Sequence, residues 1–159
     1  MKTDAPPKSE WGPGPWQDEP DEARWVDAAT GLRCAIVRSE VTGALAGFVE
    51  IDHPALCRPV DELNFDVHGG VNYSGLRFEE EGKTGWWVGF DCWHAWDVTP
   101  ALDAALRQLR HKSQLDQLVD ALDGGFLRRT YRDIAYVRAQ CAYLAGQVRS
   151  ASRRAQGAE

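Results

Sequence analysis

The 159-residue sequence lacks three features that would place a protein outside the cytosol. Its four cysteines include no C-x-x-C pair, which argues against a secreted disulfide scaffold. No apolar run reaches the roughly 20 residues of a membrane span, and no charged, apolar, cleavable leader opens the chain. We therefore expect a cytoplasmic protein with reduced thiols and no membrane association.

Positive charge is also scarce. The 18 Lys and Arg residues are outnumbered by 24 Asp and Glu residues, for a net charge of −6. A general nucleic-acid binder needs a cationic surface that displaces counterions from phosphates, so this class is not expected. A small anionic ligand remains compatible with the composition, because local Arg residues can hold one phosphate group inside an acidic protein.

The apolar content, 43%, suffices for the core of one domain of this length. Five of the eight prolines lie in residues 1–22, which predicts a flexible arm that its Trp residues could pin onto the body. Short apolar runs bounded by Gly, Pro, Asp or Asn then predict strands. They cover residues 32–38, 44–51, 65–68, 71–73 and 86–90.

After Pro100 the pattern becomes helical. Residues 101–109 and 115–122 have helix-forming composition, and Gly124-Gly125 would end the second helix. Thr130 and Asp133 form a candidate capping box for a last helix, whose apolar positions repeat every three or four residues. We predict a single α+β domain over residues 23–150, with a mostly antiparallel sheet from the N-terminal half, C-terminal helices on one face, and a frayed tail over 151–159.

Three of the four histidines lie next to carboxylates, beside predicted strands. The segments are Asp52-His53-Pro54, Asp66-Val67-His68-Gly69-Gly70 and Asp91-Cys92-Trp93-His94-Ala95-Trp96-Asp97. Imidazole and carboxylate groups at strand ends are suited to acid/base or ligand chemistry. The two glycines allow a tight turn and close approach of a ligand to the backbone. A functional site between residues 52 and 97 is therefore predicted.

Several chemistries fit these residues. His68 and His94 could share general acid and base roles, oriented by Asp66 or Asp91, and cleave a phosphodiester or glycosidic bond without a metal. Alternatively, the three histidines with Asp91 or Asp97 could bind zinc or manganese, although the sequence lacks an H-x-x-x-H pair. Cys92 as a nucleophile is the weakest option, because nothing in its sequence neighbourhood would activate a thiol.

A binding pocket without chemistry is a further option. Tyr73, Trp87, Trp93 and Trp96 could stack a purine, while His53, Asp97 and the glycines Gly69 and Gly70 contact its edges or a ribose. Arg132 could reach a phosphate. All of these groups could also be satisfied structurally, with no ligand at all.

The chain resembles a widespread family of small proteins encoded by tailed phages and prophages. The resemblance covers residues 15–148 and rests on several motifs together. They are Gly14-Pro15-Trp16 with Asp18-Glu19-Pro20-Asp21, Trp25-Val26-Asp27 with Thr30-Gly31-Leu32-Arg33-Cys34, Gly47-Phe48-Val49 leading to His53-Pro54, Val67-His68-Gly69-Gly70 leading to Tyr73-Ser74-Gly75, Trp86-Trp87-Val88-Gly89-Phe90-Asp91-Cys92 with His94, and Tyr131-Arg132-Asp133 with Tyr136-Val137. The chain departs from the family pattern at Trp93, where a small residue is usual, and at Trp96-Asp97, where Gly-Asp is usual.

By analogy, the resemblance implies a counter-defence protein in the cytosol of a bacterial host. Small phage proteins of this size include ones that cleave or sequester nucleotide immune signals. The first hypothesis is cleavage of a cyclic nucleotide signal by His-based acid/base chemistry, without a cofactor. The alternatives are a non-catalytic sponge for a cyclic dinucleotide or a cyclic ADP-ribose derivative, and an adaptor that binds a host protein. The sequence leaves a homo-oligomer open.

Overall fold

The protein is built around a five-stranded antiparallel sheet. The computed structural model describes residues 5–110 and 128–158. The strands are β1 (Glu22–Val26), β2 (Arg33–Arg38), β3 (Leu45–Ile51), β4 (Tyr73–Glu80) and β5 (Lys83–Asp91), in the spatial order β1-β2-β3-β5-β4. In the described ranges two α-helices follow, α1 (Pro100–Arg110) and α2 (Ile134–Gln156). The predicted α+β class, with an antiparallel sheet in the N-terminal half and a helix on it, is confirmed.

The long helix α2 covers one face of the sheet. Its apolar side chains recur at helical spacing and are fully buried, which is why this segment forms a packed helix. They pack against the alternate side chains of β2, β3 and β5. Close approach depends on Gly47, where an added Cβ would lie 2.5 Å from the Phe90 ring and 2.7 Å from the Cys141 sulfur.

The opposite face of the sheet carries a smaller cluster of aromatic side chains. Phe48, Tyr73, Phe78 and Trp87 pack edge to face, with ring centroids 4.9–5.7 Å apart. The guanidinium of Arg77 lies over three of these rings. Successive strand residues point to opposite faces, so Trp87 lies on the side away from α2 while its neighbour Val88 packs under the helix.

The N-terminal arm contains short helical turns and packs on the body of the protein, where a flexible arm was expected. Its described part, residues 5–21, contains two short 3₁₀ turns, Lys8–Glu10 and Pro15–Gln17. Trp11 is only 5% exposed and packs on α1, and its indole N–H donates to the Pro6 carbonyl. Strand β1, which the sequence analysis did not predict, follows this arm directly and pairs with β2.

Three further expectations need correction or fall outside the described residues. Residues 65–68 are a loop, because the side-chain amides of Gln140 and Gln147 on α2 accept the N–H groups that a neighbouring strand would otherwise bind. The tail after Ser150 is helical as far as Gln156. The predicted helix over 115–122 with its Gly124-Gly125 stop lies outside the described residues. Among the helices of the described ranges, none has the length and apolarity to cross a membrane.

Candidate functional site

Two loops meet at one end of the sheet and carry the candidate site. Strand β4 begins at Tyr73, which pairs with Gly89 near the end of β5. The loop before β4 and the loop after β5 are therefore adjacent. The first carries His68 and the second carries His94 and Asp97, while the start of α2 approaches from the side with Arg132 and Tyr136.

Asp97 is the centre of this cluster. Its side chain is fully buried and accepts four hydrogen bonds. The Oδ2 atom accepts from His68 Nε2 at 2.9 Å, from His94 Nδ1 at 2.9 Å and from the His94 backbone N–H at 3.1 Å. The Oδ1 atom accepts from Arg132 Nε at 3.0 Å. Burial alone would raise the pKa of Asp97, but these hydrogen bonds outweigh it and the pKa is lowered.

The shared carboxylate determines where the imidazole hydrogens are. A carboxylate only accepts hydrogen bonds, so His68 Nε2 and His94 Nδ1 must both carry hydrogens. His68 Nδ1 lies 2.9 Å from the Tyr136 hydroxyl, which donates to it when the ring is neutral. Both nitrogens of His68 are therefore engaged, and its side chain is only 6% exposed.

His94 has one nitrogen left over. With Nδ1–H bound to Asp97, the lone pair of Nε2 in the neutral ring points away from the cluster. Oδ1 of Asp91 lies 3.9 Å from Nε2. The His94 side chain is 23% exposed, so part of the ring meets solvent.

Glycine and tryptophan shape the space around His94. Gly69 has φ +66°, and a Cβ there would lie 2.1 Å from Cε1 and 2.2 Å from Nε2 of His94. The Trp96 indole stacks on the His94 ring with centroids 5.0 Å apart and planes 8° apart. Trp93 and Trp96 are 55% and 47% exposed. Gly70 also has a positive φ, but an added Cβ would meet nothing within 4 Å.

The structure does not bring His53 into this site. His53 follows the end of β3, whose last residue pairs with Trp86, whereas His94 follows the opposite end of β5. A strand of this length spans about 20 Å, so the two histidines lie at different ends of the sheet. His53 is 7% exposed, and its Nδ1 accepts the Ala55 N–H at the start of the 3₁₀ turn Pro54–Leu56.

Other residues that were predicted for the site lie outside it or have other partners. Tyr73 and Trp87 belong to the aromatic cluster on the far face of the sheet. Asp66, one of the two carboxylates expected to orient the histidines, accepts from the Tyr143 hydroxyl instead. The other, Asp91, accepts from the Asn72 side chain and the Trp93 N–H. The carboxylate that contacts both imidazoles is Asp97.

Cys92 lies beside the cluster but is built as a core residue. It is 1% exposed and packs among the apolar side chains under α2. Burial raises the pKa of the Cys92 thiol strongly, and the nearby carboxylates of Asp97 and Asp91 raise it further. A thiol in this environment stays protonated and is a poor nucleophile.

The same cluster could hold a metal ion. His68, His94 and Asp97 each offer a ligand atom, and these atoms lie within 4.8 Å of one another. Two imidazoles and one carboxylate are a donor set that suits zinc or manganese. In the structure, however, the two nitrogens that face Asp97 bind its oxygen through hydrogens, and Arg132 neutralises the carboxylate. An ion would have to replace these hydrogen bonds.

Two contributors were missed by sequence reasoning. Tyr136 and Gln140 hold His68, through its ring and its backbone N–H. Both lie beside the apolar stripe of α2, one position before Val137 and Cys141, and this placement at the rim of the packed face is a signal that could have identified them. Comparison with protein-family models, curated proteins and solved structures found no match.

Proposed function

We propose that this protein is an acid/base hydrolase in which His94 is the general base. One observation supports this most: a buried Asp97 holds His94 by Nδ1–H and leaves the lone pair on Nε2, in a side chain that is 23% exposed. A carboxylate that fixes the tautomer of an imidazole and stabilises its protonated form is a recurrent arrangement in general-base catalysis.

In the proposed step, His94 Nε2 accepts a proton from a water molecule or a substrate hydroxyl as its oxygen attacks phosphorus. The resulting imidazolium is stabilised by Asp97, and Arg132 keeps that carboxylate in place. The same proton then returns from Nε2 to the leaving oxygen. This assignment differs from the expected pair, because both nitrogens of His68 are engaged and His68 acts only to position Asp97.

We propose a phosphodiester of a nucleotide as the substrate class, and a cyclic nucleotide immune signal as the first candidate. Two indoles near the base are exposed: Trp96 stacks on the His94 ring, and Trp93 directly precedes His94 in the sequence. Aromatic rings of this kind stack on nucleobases. The phage-family resemblance supports the immune-signal context. Asp91 opposes an anionic substrate at short range, so it should weaken rather than promote binding.

The decisive experiment is turnover of a nucleotide panel by wild type and His94→Ala. The panel contains cyclic mononucleotides, cyclic dinucleotides and cyclic ADP-ribose derivatives, each in large excess over protein. Catalysis predicts product well beyond one equivalent, lost in His94→Ala. His53→Asn is the matched control, because it changes a histidine at the other end of the sheet and Asn can also cap a helical turn.

The same experiment also distinguishes the proposed hydrolase from the alternative functions. A sponge would bind up to one equivalent per site and release the nucleotide unchanged after heat denaturation. Loss of activity with a chelator, restored by zinc or manganese, would assign the cluster to a metal centre. No binding and no conversion across the panel would overturn the proposal and favour an adaptor role.

A further inference from the structure

The Glu19 carboxylate in the N-terminal arm contacts the segment that leads into α2. The Glu19 side chain is 10% exposed. Its Oε1 accepts the Ile134 backbone N–H at 2.9 Å, and its Oε2 accepts the Tyr131 hydroxyl at 2.6 Å and Arg38 Nη2 at 3.0 Å. Glu19 is 112 residues from Tyr131 in the sequence, so the arm contacts a segment much later in the chain.

These contacts enclose Arg132, the residue that binds Asp97. Tyr131 directly precedes Arg132 and Ile134 follows two positions later. On the other side, the Thr130 N–H donates to the Trp96 carbonyl, and the Val98 N–H donates to the Thr130 carbonyl. The segment 130–134 is therefore fixed against the Asp97 loop by backbone hydrogen bonds and against the arm by Glu19.

The surroundings of Glu19 favour its charged form. Burial would raise the pKa of Glu19, but hydrogen bonds from Tyr131, Ile134 and Arg38 outweigh it and the pKa is lowered. Arg38 is itself buried, with its side chain 2% exposed, and it also binds Asp21, the Gly43 carbonyl and the Tyr131 hydroxyl. A neutral residue at position 19 would leave this cation with fewer acceptors.

We propose that Glu19 is a positioning residue of the His94 site, which it serves by holding Arg132 on Asp97. The N-terminal arm is then a part of the site and not an appendage. This inference rests on the proposed function in one respect, namely that the hydrogen bonds to Asp97 support catalysis by His94. The contact between Arg132 and Asp97 can be measured without any substrate.

The test is the solvent-exchange rate of the Arg132 Nε–H, followed by ¹⁵N NMR. Arg132→Lys identifies the resonance by removing it. Glu19→Gln should speed this exchange by about tenfold, the change expected when roughly one net hydrogen bond is lost. Asp21→Asn is the matched control, because Asp21 lies in the same arm and binds the same Arg38 but does not contact segment 130–134. It should leave the rate within about twofold.

Two results for Glu19→Gln would overturn the inference. One is an unchanged Arg132 exchange rate in Glu19→Gln, even if the melting temperature falls, since Glu19 would then only hold the arm. The other is an equal acceleration in Glu19→Gln and Asp21→Asn. If Glu19→Gln does not fold, Tyr131→Phe replaces it: this change removes one donor to Glu19 and keeps the ring that packs edge-on against Trp16. No acceleration in Tyr131→Phe would also contradict the proposal.

The exchange experiment and the turnover experiment can succeed or fail independently. If wild type turns over a nucleotide, Glu19→Gln should lower kcat with little change in KM, because the substituted group never touches substrate. If wild type turns over none, the hydrolase proposal fails, while the exchange rates still decide whether Glu19 positions Arg132.

Discussion

At the scale of single residues, the site depends on one buried carboxylate. Replacement of Asp97 by Asn would put an N–H₂ group opposite either the two histidines or Arg132, all of which donate. Removing one partner from a buried charged network of this kind costs about 3 kcal/mol of unfolding free energy. We expect Asp97→Asn to lower urea stability by that amount and to abolish nucleotide turnover. Leu76→Ala is a suitable control, because that side chain is 63% exposed. Equal stability of Asp97→Asn and wild type would show that the hydrogen bonds to Asp97 do not stabilise the fold.

Gly69 provides a second residue-scale prediction, because the chain contains its matched control. Gly69 and Gly70 both have positive φ, so alanine is strained at either position, at a cost of about 1 kcal/mol. Only at position 69 would the new Cβ overlap the His94 ring. We expect Gly69→Ala to shift the His94 side-chain NMR signals and to change the rate at which diethylpyrocarbonate modifies His94. Gly70→Ala should do neither. Similar effects of the two substitutions would show that the contact is not specific.

At the scale of elements, the start of α2 links the helix to the site. Its N-cap is Asp133, and not Thr130 as the expected capping box would require. Asp133 accepts the Tyr136 N–H at 2.8 Å, and Tyr136 holds His68 through its hydroxyl. Loss of an N-cap of this type costs about 1 kcal/mol. We expect Asp133→Ala to lower stability by that amount in urea denaturation, and Asp133→Ser to recover most of it. If Asp133→Ala were neutral, Glu19 alone would suffice to cap the helix through Ile134.

The sequence predicts those strands and helices that are buried along most of their length. Strands β2, β3 and β5 stand out as apolar runs because they lie in the middle of the sheet, and α2 stands out by its repeat. Strand β1 could not be predicted in the same way, because an edge strand with charged residues on one face follows a proline-rich arm. Residues 65–68 look like a strand because Phe65 and Val67 both pack into the core, but their backbone partners are glutamines of a helix about 70–80 residues later.

The candidate site could also be predicted only in part. The His68-Gly69 and His94 segments could be singled out because imidazoles, glycines and carboxylates cluster there. Which carboxylate orients them depends on the turn after β5, where the Asp97 N–H donates to the His94 carbonyl and folds Asp97 back onto the ring. No spacing rule distinguishes Asp97 from Asp91 or Asp66 before that turn is known.

At the scale of the whole molecule, acid should loosen the protein through its paired carboxylates. The pKa values of Glu19, Asp21 and Asp97 are all lowered in the folded state. Groups of this kind add stability above their unfolded pKa of about 4, and that stability is lost as the pH falls through the folded pKa. We expect the unfolding free energy to fall as the pH drops below about 4. Asp97→Asn should show a shallower decline, and an unchanged slope would contradict the lowered pKa of Asp97.

The antiparallel order of the sheet also predicts which histidines act independently. His53 and His94 follow strands that run in opposite directions, so they lie at ends of the sheet separated by about 20 Å. Substitutions that far apart, with no shared partner, should have additive effects. We expect His53→Ala to lower stability through loss of the acceptor for the Ala55 N–H, while the modification rate of His94 stays that of wild type. The double variant His53→Ala/Gly69→Ala should show the sum of the two stability losses. A coupling larger than about 0.5 kcal/mol would indicate that the two ends of the sheet communicate, and would restore His53 to the site.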